Sequence, residues 1–239
     1  MNESASHCLN TDTLEPFLTM LREKRMAVMV ALGDSTTCNA TFTAGCKQWP
    51  ELLHTELRCH YQTQRILTVN AGMCGDTAAG GLARLDSDVL RFAPNLTIVS
   101  FGSNDASRVS PEGFRKTLVE LVEKLRAGGS IVLVRTPPPV MELEPAPPHV
   151  WTDDGPHWRL VDIQREESER LGVAFVDTHR MWRELEKAGE LHIERHMHDC
   201  VHPNEHGHRL IARQLAPAFG MAPTFHWERG TVDEMDRQR

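Results

Sequence analysis

Three residues of this chain have the types and spacing of a group that activates a hydroxyl for attack. Ser35 follows a short apolar run, and Asp199 precedes His202 by three residues near the other end of the chain. A serine hydroxyl attacks a carbonyl carbon slowly unless a base removes its proton. His202 is a suitable base, and Asp199 would hold its imidazole in the required tautomer if the segment turns. We therefore predict that Ser35, Asp199 and His202 are catalytic residues for acyl transfer.

The same chemistry needs hydrogen-bond donors for the charge that develops on the carbonyl oxygen. Gly75 lies in a small polar cluster after the second predicted strand, and Asn104 lies in another after the third. The carboxyl ends of parallel strands meet at one edge of a sheet, where ligands bind. We therefore expect the backbone N–H groups of Ser35 and Gly75 and the side-chain amide of Asn104 to form an oxyanion hole.

Short runs rich in β-branched residues alternate along the chain with amphipathic helical patterns. This alternation is typical of a parallel sheet with helices on both faces. We predict the α/β class, specifically a three-layer α/β/α sandwich with a five-stranded parallel sheet. The predicted strands are 26–32, 66–69, 96–101, 131–134 and 173–176, and the predicted helices are 49–59, 77–90, 111–127, 157–171 and 205–215.

Four polar clusters resemble, in the same order, the four motif blocks of the SGNH/GDSL hydrolase superfamily. They are Gly33-Asp34-Ser35, Gly75, Gly102-Ser103-Asn104-Asp105 and Asp199-Cys200-Val201-His202. The stretch 70–85 is similar to the second block of the bacterial thioesterase/lysophospholipase-type members, where the glycine before Asp-Thr donates an oxyanion N–H. The resemblance implies this role for Gly75, a flavodoxin-like sheet and an acyl-enzyme mechanism without a cofactor. Thr36 departs from the pattern, because it stands where the GDSL name has leucine.

The expected activity is hydrolysis of carboxylic esters through an acyl-enzyme on Ser35. Short to medium acyl esters, acetylated sugars and acyl thioesters are all candidate substrates, since relatives with the same blocks handle them. Asp34 and Thr36, beside the predicted nucleophile, and Trp151, in the proline-rich segment 137–158, are candidate substrate-binding residues. Asp34 also has a structural interpretation, in which its carboxylate bonds to nearby backbone amides. Ser35 has an alternative interpretation as a helix N-cap.

Two other functions stay open at this point. The second hypothesis is a metal-dependent hydrolase. The histidines between His192 and His208 suggest it, because pairs spaced i,i+4 share a helix face and could bind one metal ion. A ligand-binding member of the fold without catalysis is the third hypothesis. We assign no metal ligand, because the six cysteines include no CxxC pair and the Asp199 spacing favours His202 as a base.

Charge and hydropathy restrict the partners. The net charge is −7, and the basic residues are interspersed among acidic ones, which disfavours nucleic acid and anionic membranes. The longest apolar run, 26–32, is far shorter than the roughly 20 residues that cross a bilayer. We expect a cytoplasmic protein with reduced cysteines and a small-molecule ester as its partner, whereas the pattern leaves homo-oligomer formation open. The predicted organisation is a helical extension over 1–25, the hydrolase domain over 26–220 and a polar tail over 221–239.

Overall fold

The computed structural model describes residues 7–38, 41–141 and 156–222, and a six-stranded sheet lies at its centre. The strands are β1 (Cys8–Leu9), β2 (Ala27–Gly33), β3 (Ile66–Gly72), β4 (Leu96–Ser100), β5 (Ile131–Arg135) and β6 (Ala174–Val176). Their order across the sheet is β1-β6-β5-β4-β2-β3. Strands β2 to β6 are parallel, and β1 runs antiparallel along the edge of β6. The predicted α/β class is confirmed, with one strand more than expected.

Helices cover both faces of the sheet. They are α1 (Glu15–Arg22), α2 (Ser35–Cys38), α3 (Trp49–Tyr61), α4 (Ala78–Ala83), α5 (Leu85–Asp88), α6 (Pro111–Ala127), α7 (Pro156–Leu171), α8 (Thr178–Lys187) and α9 (Glu205–Leu215). In the part of the chain that the structure describes, every helix is too short or too polar to span a bilayer.

Alternate residues of the central strand enter two different hydrophobic clusters. Met29 and Ala31 join the cluster beneath α1, α3 and α9, while Val30 and Leu32 join the one beneath α4, α6 and α7. Successive strand side chains point to opposite faces, so a strand covered on both faces must be apolar at every position. The continuous run of the sequence therefore becomes the middle layer of the sandwich.

The long helices begin at residues that satisfy their first N–H groups. Ser110 Oγ accepts the N–H of Gly113 at 3.1 Å before α6, and Asn204 Oδ1 accepts the N–H groups of His206 and Gly207 before α9. These caps follow the usual preference for small polar residues at helix starts. Both helices have the bounds that the sequence pattern predicts.

The predicted helix 77–90 is interrupted at Arg84. Gly80 and Gly81 weaken it, and Arg84 leaves helical geometry with φ −103° and ψ 12°. Its guanidinium donates to the carbonyl oxygens of Ala71 and Gly33 at strand ends and forms an ion pair with Asp76 at 2.8 Å. These tertiary bonds replace the continuous helix with α4, α5 and a final 3₁₀ turn.

Three elements were missed by the sequence analysis: strand β1, the four-residue helix α2 and helix α8. Strand β1 contains two residues, which are too few for any periodic pattern. Helix α8 packs against the body through Trp182, whose indole N–H donates to the side-chain oxygen of Gln214 at 3.0 Å. The chain before residue 25 also enters the main core, because Phe17 and Leu21 are fully buried in the same cluster as β2. In the described residues, the predicted extension thus packs as part of one unit with the sheet, and the predicted tail lies outside them from residue 223 onward.

Candidate active site

A tight turn at the carboxyl end of β2 presents Ser35. A Cβ on Gly33 would lie 2.3 Å from Thr37 Oγ1 and 2.7 Å from the Ser100 carbonyl oxygen, so only glycine lets α2 fold back over the strand ends. The buried Asp34 carboxylate accepts both the N–H and the hydroxyl of Thr36 at 2.8 Å. The turn is therefore held from inside, and the Ser35 side chain occupies the edge of the sheet where ligands bind.

The segment from Asp199 to His202 makes the turn that the predicted acid–base pair requires. Asp199 Oδ1 accepts the backbone N–H groups of Val201 and His202 at 2.8 Å each, which is an Asx turn. The Asp199 Oδ2 atom lies 2.7 Å from His202 Nδ1, and His202 Nε2 lies 2.9 Å from Ser35 Oγ. The structure thus brings all three predicted catalytic residues into one chain of hydrogen bonds.

The electrostatics of this chain favour one protonation pattern. Partial burial acts to raise the pKa of Asp199, but hydrogen bonds from the Val201 N–H and from His202 outweigh it and hold that pKa below its usual value. An ionised Asp199 accepts a hydrogen bond from the Nδ1–H group of His202. The Nε2 lone pair of the same ring is then available to accept a hydrogen bond from the Ser35 hydroxyl. The arrangement is that of a serine poised for deprotonation.

Two of the three predicted oxyanion donors, Gly75 and Asn104, lie on loops that are bonded to each other. Gly75 has φ +75°, a left-handed conformation, and its carbonyl accepts from Arg108 Nη1 at 2.5 Å. The next carbonyl, that of Asp76, accepts from Asn104 Nδ2 at 2.9 Å. A primary amide has two N–H donors, so Asn104 retains one for a substrate oxygen. Asp105 ties the loops further, because its two carboxylate oxygens accept the N–H groups of Ala78 and Gly102.

Comparison with known sequences shows which family this constellation belongs to. The sequence model of the GDSL-like Lipase/Acylhydrolase family matches residues 31–210, a range that includes every predicted catalytic and oxyanion residue. The chain belongs to this family. The predicted relationship is therefore confirmed.

Individual relatives support the same grouping. Esterase TesA of Pseudomonas aeruginosa is 32% identical over 119 residues, which cover 49% of this chain and 58% of TesA, so the chain spans little more than half of that relative. The acetylxylan esterase of Geobacillus stearothermophilus is 26% identical over 179 residues, covering 72% of this chain and 79% of the esterase. A crystal structure of the lipase/acylhydrolase from Enterococcus faecalis superposes with a TM-score of 0.68 at 23% identity, covering 83% of this chain and 99% of that one. That likeness concerns the fold.

Two of the predicted substrate-binding residues are buried in the turn that carries Ser35. Asp34 and Thr36 have no exposed surface, and they bond to each other beneath the turn. Their burial does not fit a contact with substrate. It favours the structural interpretation of Asp34 and corrects the substrate-binding prediction for Thr36. Trp151 lies outside the described residues, so its role stays a prediction.

A buried cation below the nucleophile turn was missed by the sequence analysis. Arg135, at the end of β5, is fully buried, donates to Ser100 Oγ and to the Thr136 carbonyl, and lies over the Trp49 ring at 5.1 Å. Burial lowers the pKa of Arg135 to about 10 and raises the pKa of Asp34, with the Arg135 charge opposing the Asp34 shift. A lone arginine ending an apolar strand was the signal available in the sequence.

Two cysteines contact each other, one on the helix that begins at Ser35 and one beside Gly75. Cys38 ends α2, Cys74 precedes Gly75, and their Sγ atoms lie 3.6 Å apart. Burial and the neighbouring Cys74 raise the pKa of Cys38 to about 12, so this thiol is protonated at neutral pH. All six cysteines are free thiols in the structure, and the expectation that they stay reduced remains a prediction.

The histidines of the metal hypothesis have different partners in the structure. Over residues 7–38, 41–141 and 156–222, no three His, Cys, Asp or Glu side chains converge as a metal site. His192 and His206 are exposed, and His196 Nδ1 contacts the His192 carbonyl at 3.0 Å. His208 is buried, and its Nδ1 atom accepts the backbone N–H of Trp49 at 3.2 Å. The apolar side of α9 faces the core, so a histidine in that register is buried with it.

The segment after β5 leads toward the catalytic loop. The Met141 N–H donates to the Cys200 carbonyl at 2.8 Å, one residue beyond Asp199. At the other end of the proline-rich segment, the Trp158 ring packs edge-on against His179 at 4.4 Å. Trp158 therefore packs against the body of the protein.

Proposed function

We propose that this protein is a serine esterase that hydrolyses carboxylic esters through an acyl-enzyme on Ser35. The observation that carries the proposal is the 2.9 Å contact between Ser35 Oγ and His202 Nε2, with Asp199 bonded to the opposite ring nitrogen. A hydroxyl in this position loses its proton as it attacks, which is the step that an isolated serine performs slowly.

In the first half of the proposed reaction, Ser35 Oγ bonds to the ester carbonyl carbon while its proton passes to His202 Nε2. The electron pair of the carbonyl bond moves onto its oxygen, where the N–H groups of Ser35, Gly75 and Asn104 stabilise the charge. The intermediate collapses, the carbon–oxygen bond to the alcohol breaks, and the alcohol oxygen takes the proton from His202. An acyl group remains on Ser35.

In the second half, water takes the place of the alcohol. His202 removes a proton from water as it attacks the acyl carbon, and the proton then returns to Ser35 Oγ as the carboxylic acid leaves. Asp199 stays ionised throughout and stabilises the imidazolium that forms in each half.

For the substrate, we propose a small-molecule ester with a short or medium acyl chain. The family includes proteins named as esterases of quite different alcohols, and acetylated sugars and acyl thioesters remain the alternative classes. Turnover of nitrophenyl acetate, butyrate and octanoate, measured beside an acetylated xylose and an acyl thioester, would rank them. If the acyl thioester gave the greatest kcat/KM, acyl thioesters would replace short and medium esters as the proposed substrate class.

The proposed nucleophile has a direct test. Ser35→Ala should lower the kcat for nitrophenyl acetate at least ~1000-fold, because no other hydroxyl can be acylated at this position. A serine-directed phosphonate should add its mass to the unmodified protein and leave this variant unlabelled. Ser87→Ala, an exposed serine that bonds to the Arg84 carbonyl, is the matched control and should retain full activity. Wild-type turnover in the Ser35 variant would refute the proposal and favour a different hydrolytic centre.

A further inference from the structure

An aromatic ring covers one face of the candidate catalytic base. The ring centroids of Phe42 and His202 lie 3.7 Å apart, and their planes are within 14° of parallel. Phe42 also lies 5.4 Å from His198 in a tilted arrangement. The His202 side chain keeps 21% of its surface exposed. One face of its imidazole is thus shielded by carbon rather than by water.

The other contacts of His202 leave one motion of its ring unrestrained. Asp199 binds Nδ1 and Ser35 binds Nε2, so both hydrogen bonds lie in the ring plane. Hydrogen bonds at the two nitrogens restrict sliding of the ring but permit it to tilt about the line that joins them. A flat side chain against the face removes that tilt. Phe42 therefore completes the placement of the Nε2 lone pair toward Ser35.

The loop that carries Phe42 is itself held by hydrogen bonds. Thr43 Oγ1 donates to the Cys46 carbonyl at 2.7 Å, and Gln48 Nε2 donates to the same carbonyl at 2.9 Å. The Cys46 N–H closes the turn on the Thr43 carbonyl at 2.9 Å. The turn joins directly to α3, so Phe42 has a firm attachment on its carboxyl-terminal side.

The stacking of Phe42 on His202 also affects the stability of the positively charged imidazole. An aromatic face carries negative potential and attracts a cation, and the attraction grows when water is excluded. In the proposed reaction His202 takes the proton of Ser35 as Ser35 attacks the ester, so the imidazole gains a positive charge as the acyl bond forms. The Phe42 ring therefore stabilises the transition state more than the resting site, and this kind of difference raises kcat rather than lowering KM.

We propose that Phe42 is a positioning residue for His202, which fixes the imidazole plane and stabilises the imidazolium formed during acylation. This inference rests on the proposed function, because it assigns a role within the same reaction. It goes beyond the four motif blocks, since Phe42 lies in none of them.

The test compares side chains that keep or lose the aromatic face. Phe42→Leu should lower kcat for nitrophenyl acetate about tenfold and leave KM within about twofold, the size expected for one cation–ring contact. Phe42→Tyr keeps the face and should retain kcat within about twofold. Phe92→Leu removes a half-buried ring that lies beneath Arg91, outside the site, and serves as the matched control. If the leucine variant does not fold, as judged by circular dichroism, Phe42→Met takes its place.

Three results would overturn the inference. Unchanged kcat in the leucine variant would show that the ring is dispensable. Equal losses in the leucine and tyrosine variants would mean that Phe42 merely packs the loop. A raised KM with unchanged kcat would make it a substrate contact. Failure of the proposed function is distinguished by Ser35→Ala, because in that case hydrolysis would not depend on Ser35 in any background.

Discussion

His208 couples the stability of the fold to pH through a buried imidazole. Its Nδ1 accepts the Trp49 N–H at 3.2 Å, which joins α9 to the start of α3. Burial, together with repulsion from Arg135 and His202, lowers the pKa of His208 to about 3. The folded protein therefore keeps this ring neutral in mild acid.

The sign and size of the effect follow from proton linkage. In an unfolded chain a histidine binds its proton near pH ~6.5, so between that pH and ~3 the unfolded state holds one proton more than the folded state. Stability is fully present above the unfolded pKa and falls as the solution is acidified. Each pH unit within this window costs about 1.4 kcal/mol, and integration from pH 7 to pH 5 gives about 2 kcal/mol.

The perturbation is His208→Asn, because the Asn Oδ1 atom can take the place of Nδ1 as acceptor for the Trp49 N–H without titrating. Urea unfolding at pH 7 and pH 5 should show that wild type loses about 2 kcal/mol more than the variant on acidification. His206→Asn, at an exposed position on the same helix, controls for the substitution and should behave as wild type. Equal acid sensitivity in wild type and the His208 variant would refute this reasoning.

Two further predictions concern the site. Asp199→Asn should lower kcat about 10³- to 10⁴-fold with little change in circular dichroism, because the amide no longer selects the tautomer in which Nε2 accepts from Ser35; a loss below tenfold would contradict the assigned role. Gly75→Ala and Gly129→Ala both place a side chain on left-handed backbone, at φ +75° and +83° with open space around each Cβ, so each should destabilise by about 1 kcal/mol in thermal unfolding. Only the Gly75 variant should also lose kcat, about tenfold or more, since it shifts an oxyanion donor; equal kcat in the two variants would remove Gly75 from the oxyanion hole.

The site depends on one edge of the sheet gathering residues that are remote in sequence. Ser35 comes from the end of β2, Gly75 from the loop after β3, and Asn104 from the loop after β4. His202 lies on a turn that precedes α9 and contacts Ser35 from there. Because β2 is bonded to both β3 and β4, register along three strands sets the distances among the first three residues. A shift in the register of either strand pair would move Ser35 away from one of the predicted oxyanion donors, Gly75 or Asn104.

The sequence pattern was sufficient to predict the bounds of a helix where the signals for its start and end lie within or beside that helix. Helices α6 and α9 begin and end where capping residues and apolar spacing predict, because these signals act within one turn of the chain. The break at Arg84 was not predictable in this way. It arises from bonds to carbonyl oxygens at the ends of other strands, and a helical pattern carries no information about them.

By itself the sequence determined the fold class, the family blocks and the residue types of the candidate triad, because hydrophobic period and motif order are properties of the chain. Only the tertiary structure decided which of those side chains meet. It placed Asp34 and Thr36 beneath the turn that carries Ser35, buried His208 and set Phe42 against His202. Burial and ring stacking depend on segments that pack from far along the chain. For that reason Ser35 could be named from its neighbours, whereas the ring that covers its base could not.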